Sequence, residues 1–150
     1  MKYTEEIIIN KPLNEVIDLF KSPDNLKCWQ RGMKSTKLLK GKSGEEGAKR
    51  KLSIRLEGRD ISMIETITKC DLPHHWHARY TSQGLISYQE NYFEKRGKHQ
   101  TYWKNSSEFQ FEGYMKIVGR LLPGIFKRRS KTIMKDFKAF AENGVTVANK

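Results

Sequence analysis

The sequence predicts an α+β fold in which an antiparallel sheet of seven strands packs on one long C-terminal helix. Three observations predict it. Beyond a break at Pro123-Gly124, residues up to Asn143 follow helical periodicity. Phe126, Ile133, Met134, Phe137, Phe140 and Ala141 fall on one side and Lys127, Lys131, Lys135 and Lys138 on the other, with Arg128 at the border. Such an apolar stripe has to be buried against something. Upstream, strand-like segments follow one another across short turns, which pair neighbours antiparallel. No helical pattern separates them, which argues against a parallel α/β design.

In order, Tyr3 to Asn10 ends in a β-branched run and reads as a strand. Asn10-Lys-Pro12 breaks it, and Pro12 suits a first helical turn. Leu13, Val16, Ile17 and Phe20 then recur at helical spacing. Ser22-Pro23-Asp24 opens a second short helix, with Ser22 as N-cap, that carries Leu26, reaches Trp29 and stops before Gly32. Six strands follow: Met33–Lys40, Lys49–Leu56, Arg59–Cys70, His75–Ser82, Leu85–Glu94 and His99–Phe111. In the last, Trp103, Asn105, Ser107, Phe109 and Phe111 oppose Tyr102, Lys104, Ser106, Glu108 and Gln110. Asn143-Gly144 stops the long helix, since both residues accept a left-handed backbone.

The chain has 150 residues, enough for one domain, residues 1–150, with a real core. Hydrophobic residues make up 37%, and aromatic and β-branched residues recur throughout, which argues against a disordered chain. No apolar run is long enough to span a bilayer, and no signal peptide is visible, so a cytoplasmic location is expected. Cys28 and Cys70 form no redox or metal motif and are expected as free thiols. The formal net charge of +12 points to a lysine-rich solvated surface or to an acidic partner. No nucleic-acid reading motif is present, so nucleic acid is not the expected partner.

The order of elements resembles the START-like helix-grip superfamily (SRPBCC), the group of polyketide cyclase/dehydrase and lipid-transport proteins. Ile7-Ile-Ile-Asn-Lys-Pro12 with Val16 and Phe20 is similar to its opening strand and first helix. Leu26 to Trp29 is similar to its second helix, and Gly41 to Gly47 to its glycine-containing hairpin. Glu108 to Gly113, Leu122 to Phe126 and Phe137 to Glu142 are similar to its last strand and closing helix. The resemblance implies a strongly curved sheet gripping the C-terminal helix, two short helices after the first strand, and an apolar tunnel between them. It implies binding or carriage of a lipid, polyketide or aromatic compound. The enzymatic alternative is cyclase/dehydrase-like chemistry through an inward-facing acid/base residue. The superfamily has no universal catalytic motif to transfer, and no cofactor is implied.

Gly41-Lys42-Ser43 is not a phosphate-binding loop, because Thr36 stands where a glycine is needed and a strand follows instead of a helix. His75 and His77 share a strand face beside His74, but no carboxylate or cysteine completes a metal site, so none is assigned. Glu65, Tyr88 and Glu90 are the acid–base candidates; outward, solvated positions are the expectation for all three. Trp103, Phe109, Phe126 and Ile133, with Trp29 and Trp76, are the expected cavity wall. Lys127, Arg128, Lys131, Lys135 and Lys138, preceded by Arg120, form a basic stripe for which a solvated helix face is the expectation and weak, salt-sensitive attraction to an anionic membrane the alternative. The tunnel mouth is expected near Pro123-Gly124, with those two residues as a hinge.

Overall fold

The computed structural model describes residues 1–148. Its elements are β1 (Lys2–Ile9), α1 (Leu13–Lys21), a 3-10 turn (Pro23–Asn25), α2 (Leu26–Trp29), β2 (Met33–Lys40), β3 (Lys49–Leu56), β4 (Arg59–Asp71), β5 (His75–Ser82), β6 (Leu85–Lys95), β7 (Thr101–Phe111), α3 (Met115–Leu121) and α4 (Pro123–Asn143). The seven strands form one antiparallel sheet in the order β1-β7-β6-β5-β4-β3-β2. Consecutive strands from β2 to β7 are neighbours, and β1 adds outside β7. Register shifts at Met33/Ser35, Leu38/Lys40 and Ile67/Lys69 supply local bends. The edge strand β2 is mostly exposed and carries Lys34, Lys37 and Lys40, the charges that keep an open edge from pairing with another chain. Part of the high positive charge therefore has a structural use.

Two details differ from the sequence expectation. The second short helix is a 3-10 turn running into a single α-turn, and Ser22 makes no side-chain cap. A further helix, α3, precedes the break. It packs on β7 through Gly119, where a Cβ would stand 2.6 Å from the Phe111 ring. Only a glycine permits that approach.

The long helix α4 lies across the concave face and is held from both sides. Tyr3 Oη donates to the Phe126 carbonyl (2.7 Å), and Ser130 Oγ is 2.8 Å from the same phenol oxygen. Lys138 donates to the Ile8 carbonyl and pairs with Glu142, whose carboxylate accepts the Asn10 backbone N–H at 2.8 Å. From the other side Arg31 makes a two-pronged pair with Asp136 at 2.8 and 3.1 Å. The helix ends on Gly144 at φ 67°, whose N–H bonds the Phe140 carbonyl.

The core gathers at one end. Ile9, Val16, Ile17, Phe20, Trp29, Phe93, Trp103, Met134, Phe137 and Ala141 pack into one cluster. Phe20 sits among Trp29, Trp76, Phe93, Trp103 and Phe137, with ring centroids 4.9 to 5.9 Å away, mostly edge to face. At the other end only Met33, Leu52 and Ile54 form a buried cluster.

Candidate functional site

The thin end of the core is a cavity. Between the concave sheet, α4, α3 and the short helices lies a space of about 1290 Å³ open to solvent. Leu52, Ile54, Met63 and Ile67 form its apolar floor, while Phe126, Ile133 and Met134 of α4 form its roof. All three tryptophans of the chain, Trp29, Trp76 and Trp103, line it, as do Phe109, Phe126 and Ile133. Thus the six side chains expected in the wall stand together there. Phe126 meets Phe109 at 4.9 Å and Phe111 at 5.3 Å between ring centroids, so α4 touches β7 through rings at this point.

A polar row crosses the floor. Arg50, Glu65, Tyr80, Ser87 and Phe109 are successive cross-strand partners in β3 to β7. All five line the cavity. Tyr80 Oη donates to Glu65 Oε2 at 2.8 Å. Arg50 faces the same carboxylate and is itself held by Thr36 (3.2 Å) and Ser43 (2.7 Å). Burial raises the Glu65 carboxyl above its ordinary value, against the Tyr80 hydrogen bond and the Arg50 charge. Burial also pushes the Tyr80 phenol well up, reinforced by the neighbouring carboxylate, so it stays a donor. The pair offers a proton-holding carboxyl and a neutral phenol inside an apolar space, which is what acid–base work on a bound ligand requires.

This corrects the expectation that Glu65 faces outward. On β4 it shares a face with Ile61, Met63 and Ile67, all lining the cavity. Tyr88 and Glu90 alternate with the inward Ser87, Gln89 and Asn91 of β6 and therefore lie on the outer face, away from the cavity. His75 and His77 also face outward, with ring centroids 5.7 Å apart, and His74 Nδ1 is 3.0 Å from the Phe93 carbonyl. Among the described residues no group of three or more metal-ligating side chains comes together.

Next to the row lies an amide network. Asn91 Oδ1 accepts from Trp103 Nε1 and Asn105 Nδ2, both at 2.9 Å. Ser107 Oγ is 2.7 Å from both Asn105 Oδ1 and Gln89 Oε1, with one proton for the two. These bonds satisfy polar groups that the strands turn inward. Arg129 was not among the expected site residues, yet it lines the cavity from α4. The signal was in the helical spacing, since it stands three residues after Phe126 and four before Ile133, on one face.

The basic stripe is less free than its spacing suggests. Lys127 and Lys131 stand 3.9 and 4.0 Å from Glu5 Oε1, and Lys138 is committed to Glu142. The more conspicuous exposed feature is the corner between α3 and α4. There Tyr114, Ile117, Leu121, Leu122 and Ile125 are exposed, Tyr114 by 69% and Leu121 by 68%.

A single curved antiparallel sheet, closed by a C-terminal helix over a cavity, decides the architecture. The chain has the START-like helix-grip fold. It is similar to a conserved protein from Geobacillus kaustophilus, with 17% identity, 94% of this chain and 95% of that chain covered, and a TM-score of 0.79. It is similar to the Zhui aromatase/cyclase from Streptomyces at 11% identity, covering 95% and 93%, with a TM-score of 0.80. It is also similar to a truncated norcoclaurine synthase from Thalictrum flavum at 11% identity, covering 95% and 94%, with a TM-score of 0.71. No protein-family model and no curated protein matches the chain. Likeness at these identities concerns the helix-grip fold, so function has to be argued from the cavity.

Proposed function

We propose that this protein binds a hydrophobic or amphipathic small molecule in the cavity between sheet and α4. The observation that carries this reading is the cavity itself: about 1290 Å³, walled by aliphatic and aromatic side chains, with a few polar groups turned inward. That is the usual make-up of a small-molecule site, and its size suits a ring system or a long chain. Native mass spectrometry of protein purified from its own host tests it. A co-purified lipid or aromatic mass is expected, as is quenching of the cavity tryptophans by added apolar ligands. A protein that carries no such mass and shows no saturable quenching would remove the proposal.

A second reading has its own observation. The Glu65–Tyr80 pair stands on the inner face at hydrogen-bond distance. Helix-grip neighbours include proteins named as an aromatase/cyclase and a norcoclaurine synthase. In this reading Glu65 exchanges a proton with a bound ligand, and Tyr80, whose O–H donates to Glu65, holds that carboxyl in place. Glu65→Gln would then lower turnover of a bound compound by about a hundredfold or more while leaving its affinity in place. A carrier would have no turnover to lose.

Exchange of a water-insoluble ligand calls for a docking surface, and we place it at the α3–α4 corner. Tyr114, Met115 and Val118 line the cavity. Beside them, Ile117, Leu121, Leu122 and Ile125 are exposed among Lys116, Arg120 and Arg128. Apolar side chains ringed by cations match an anionic bilayer surface. Among the described residues no helix is long and apolar enough to cross a membrane.

A further inference from the structure

The cavity contains a cation without a counter-ion. Arg129 lies on the roof between Phe126 and Ile133 and is partly buried. Among the described residues it makes no ion pair and no side-chain hydrogen bond. Burial alone pulls its proton affinity below the ordinary guanidinium value, with no carboxylate acting against that shift. The contrast with Arg50 is direct. Arg50 also lines the cavity, but Thr36, Ser43 and the facing Glu65 already engage it. A guanidinium stays charged at neutral pH, and this one keeps contact with the open cavity, where an entering anion can meet it.

A second donor in the same wall is also unmatched. Trp29 is 3% exposed, and its indole N–H has no acceptor. Trp103, by comparison, gives its N–H to Asn91. The Trp29 N–H is sealed inside the aromatic cluster, so Arg129 is the donor that a ligand entering the cavity can reach.

We infer that the ligand carries an anionic head group, a carboxylate or a phosphate monoester, on an apolar body, and that Arg129 binds that head group. This rests on the ligand-binding reading and narrows it to amphipathic anions. The planar fork of a guanidinium matches two oxygens of either group, so a lysine would serve less well. With the head group at Arg129, the apolar body extends along Phe126, Ile133 and the floor residues Leu52 and Ile54.

Paired ligands that differ only in the head group test this. Dodecanoate against dodecanol, and 2-naphthoate against 2-naphthalenemethanol, are titrated calorimetrically at about 0.15 M salt, where general attraction to a basic protein is screened. Dodecyl phosphate is the third arm, and its rank against dodecanoate tells which head group the site prefers. The anionic member of each pair is expected to bind about tenfold or more tighter, as a charge-assisted bidentate contact provides. Arg129→Met should bring anion and alcohol within about twofold while the alcohol's affinity is unchanged, and Arg129→Lys should keep part of the preference. Lys135→Gln removes an exposed cation of α4 and should keep all of it. Thermal melts of each variant show that the fold is intact. Equal affinities in the unmodified protein, or a preference that survives Arg129→Met, overturns the inference while leaving the cavity as a ligand site. Failure of every compound to bind overturns the ligand-binding reading and this inference together.

Discussion

The two halves of α4 are made of the same kinds of residue and are used in opposite ways. The C-terminal half presses Met134, Phe137 and Ala141 into the aromatic cluster around Phe20 and Trp103. The N-terminal half carries Phe126, Arg129 and Ile133 on the same stripe, but none of them is fully buried, and all face the cavity. The sheet under each half accounts for the difference. Below Phe137, α1 and α2 bring Val16, Phe20 and Trp29 between helix and strands. Below Phe126 the cavity intervenes, and the buried cluster there is smaller: Met33, Leu52 and Ile54, with Leu26 of α2, Leu56, Met63 and Tyr80 packed against it. A helix stripe therefore marks what must be covered, but not by what. One half is covered by protein and the other opens on the cavity.

The largest expected effect comes from breaking the dense half. Phe137 is wholly buried and touches Phe20, Trp29 and Trp103 at 5.0 to 5.9 Å between centroids. Phe137→Ala should cost about 3–5 kcal/mol in urea or thermal unfolding, through lost transfer energy and the cavity left behind. Phe126→Ala, eleven residues earlier on the same stripe, should cost about 1 kcal/mol and instead weaken ligand binding. Equal stability losses at the two positions would erase the distinction between packed and open halves.

The next effect sharpens the comparison from the sheet side. Burial raises the Glu65 carboxyl above its ordinary 4.5, so the native state keeps that proton to a higher pH than the unfolded chain does. Where the native state binds more protons, stability falls as pH rises. The contribution is complete below the ordinary carboxylate value and is lost as pH climbs through the raised one, by up to about 1.4 kcal/mol per pH unit in that window. Glu65→Gln keeps an acceptor for Tyr80 and has no proton to lose. Its stability should match the unmodified protein near pH 4 and exceed it at neutral pH, as denaturant midpoints measured across pH would show. A gap that closes with rising pH would mean that Glu65 is stabilised as the carboxylate.

How far the sequence could be read follows the same division. Strand ends agree with the sequence reading to within a residue or two, because the turns at Glu57-Gly58, Gln83-Gly84 and Arg96-Gly97 carry their own signals. The inward face of β7 was legible because Trp103, Phe109 and Phe111 alternate with charged and polar residues. Glu65 was misassigned because a carboxylate is ordinarily solvated, although its neighbours Ile61, Met63 and Ile67 at alternate positions mark the inner face. In β6 the hydrophobic rule inverts: Ser87, Gln89 and Asn91 turn inward, while Tyr88 and Tyr92 turn outward. Alternation shows that a strand has two faces, and a partly polar cavity removes the usual clue to which is which. The row Arg50–Glu65–Tyr80–Ser87 needs the register of four strands, which no local pattern contains. Arg129 could have been read from the helical face, since it stands between Phe126 and Ile133 at helical spacing.

The smallest expected effect concerns the outer surface of the open half, where two patches are candidates for the proposed membrane contact. The lysine stripe of α4 is partly spent inside the molecule, Lys127 and Lys131 on Glu5 and Lys138 on Glu142. The α3–α4 corner offers exposed Ile117, Leu121, Leu122 and Ile125 beside Lys116, Arg120 and Arg128. Co-sedimentation with vesicles of neutral or anionic lipid, at low and physiological salt, separates the two. Binding should require anionic lipid and weaken as salt screens it. Each of Arg120→Gln and Arg128→Gln should reduce partitioning roughly fivefold, the worth of one cation at such a surface. Leu121→Ser should reduce it again without a salt dependence of its own, because it removes apolar contact and no charge. Lys138→Gln should change vesicle binding little and instead loosen α4 on β1, seen as faster hydrogen exchange at Asn10. If Lys131→Gln and Lys135→Gln abolish binding while the corner variants keep it, the stripe is the membrane face and the corner is not. Binding that is equal on neutral and anionic vesicles, or absent at low salt, removes both.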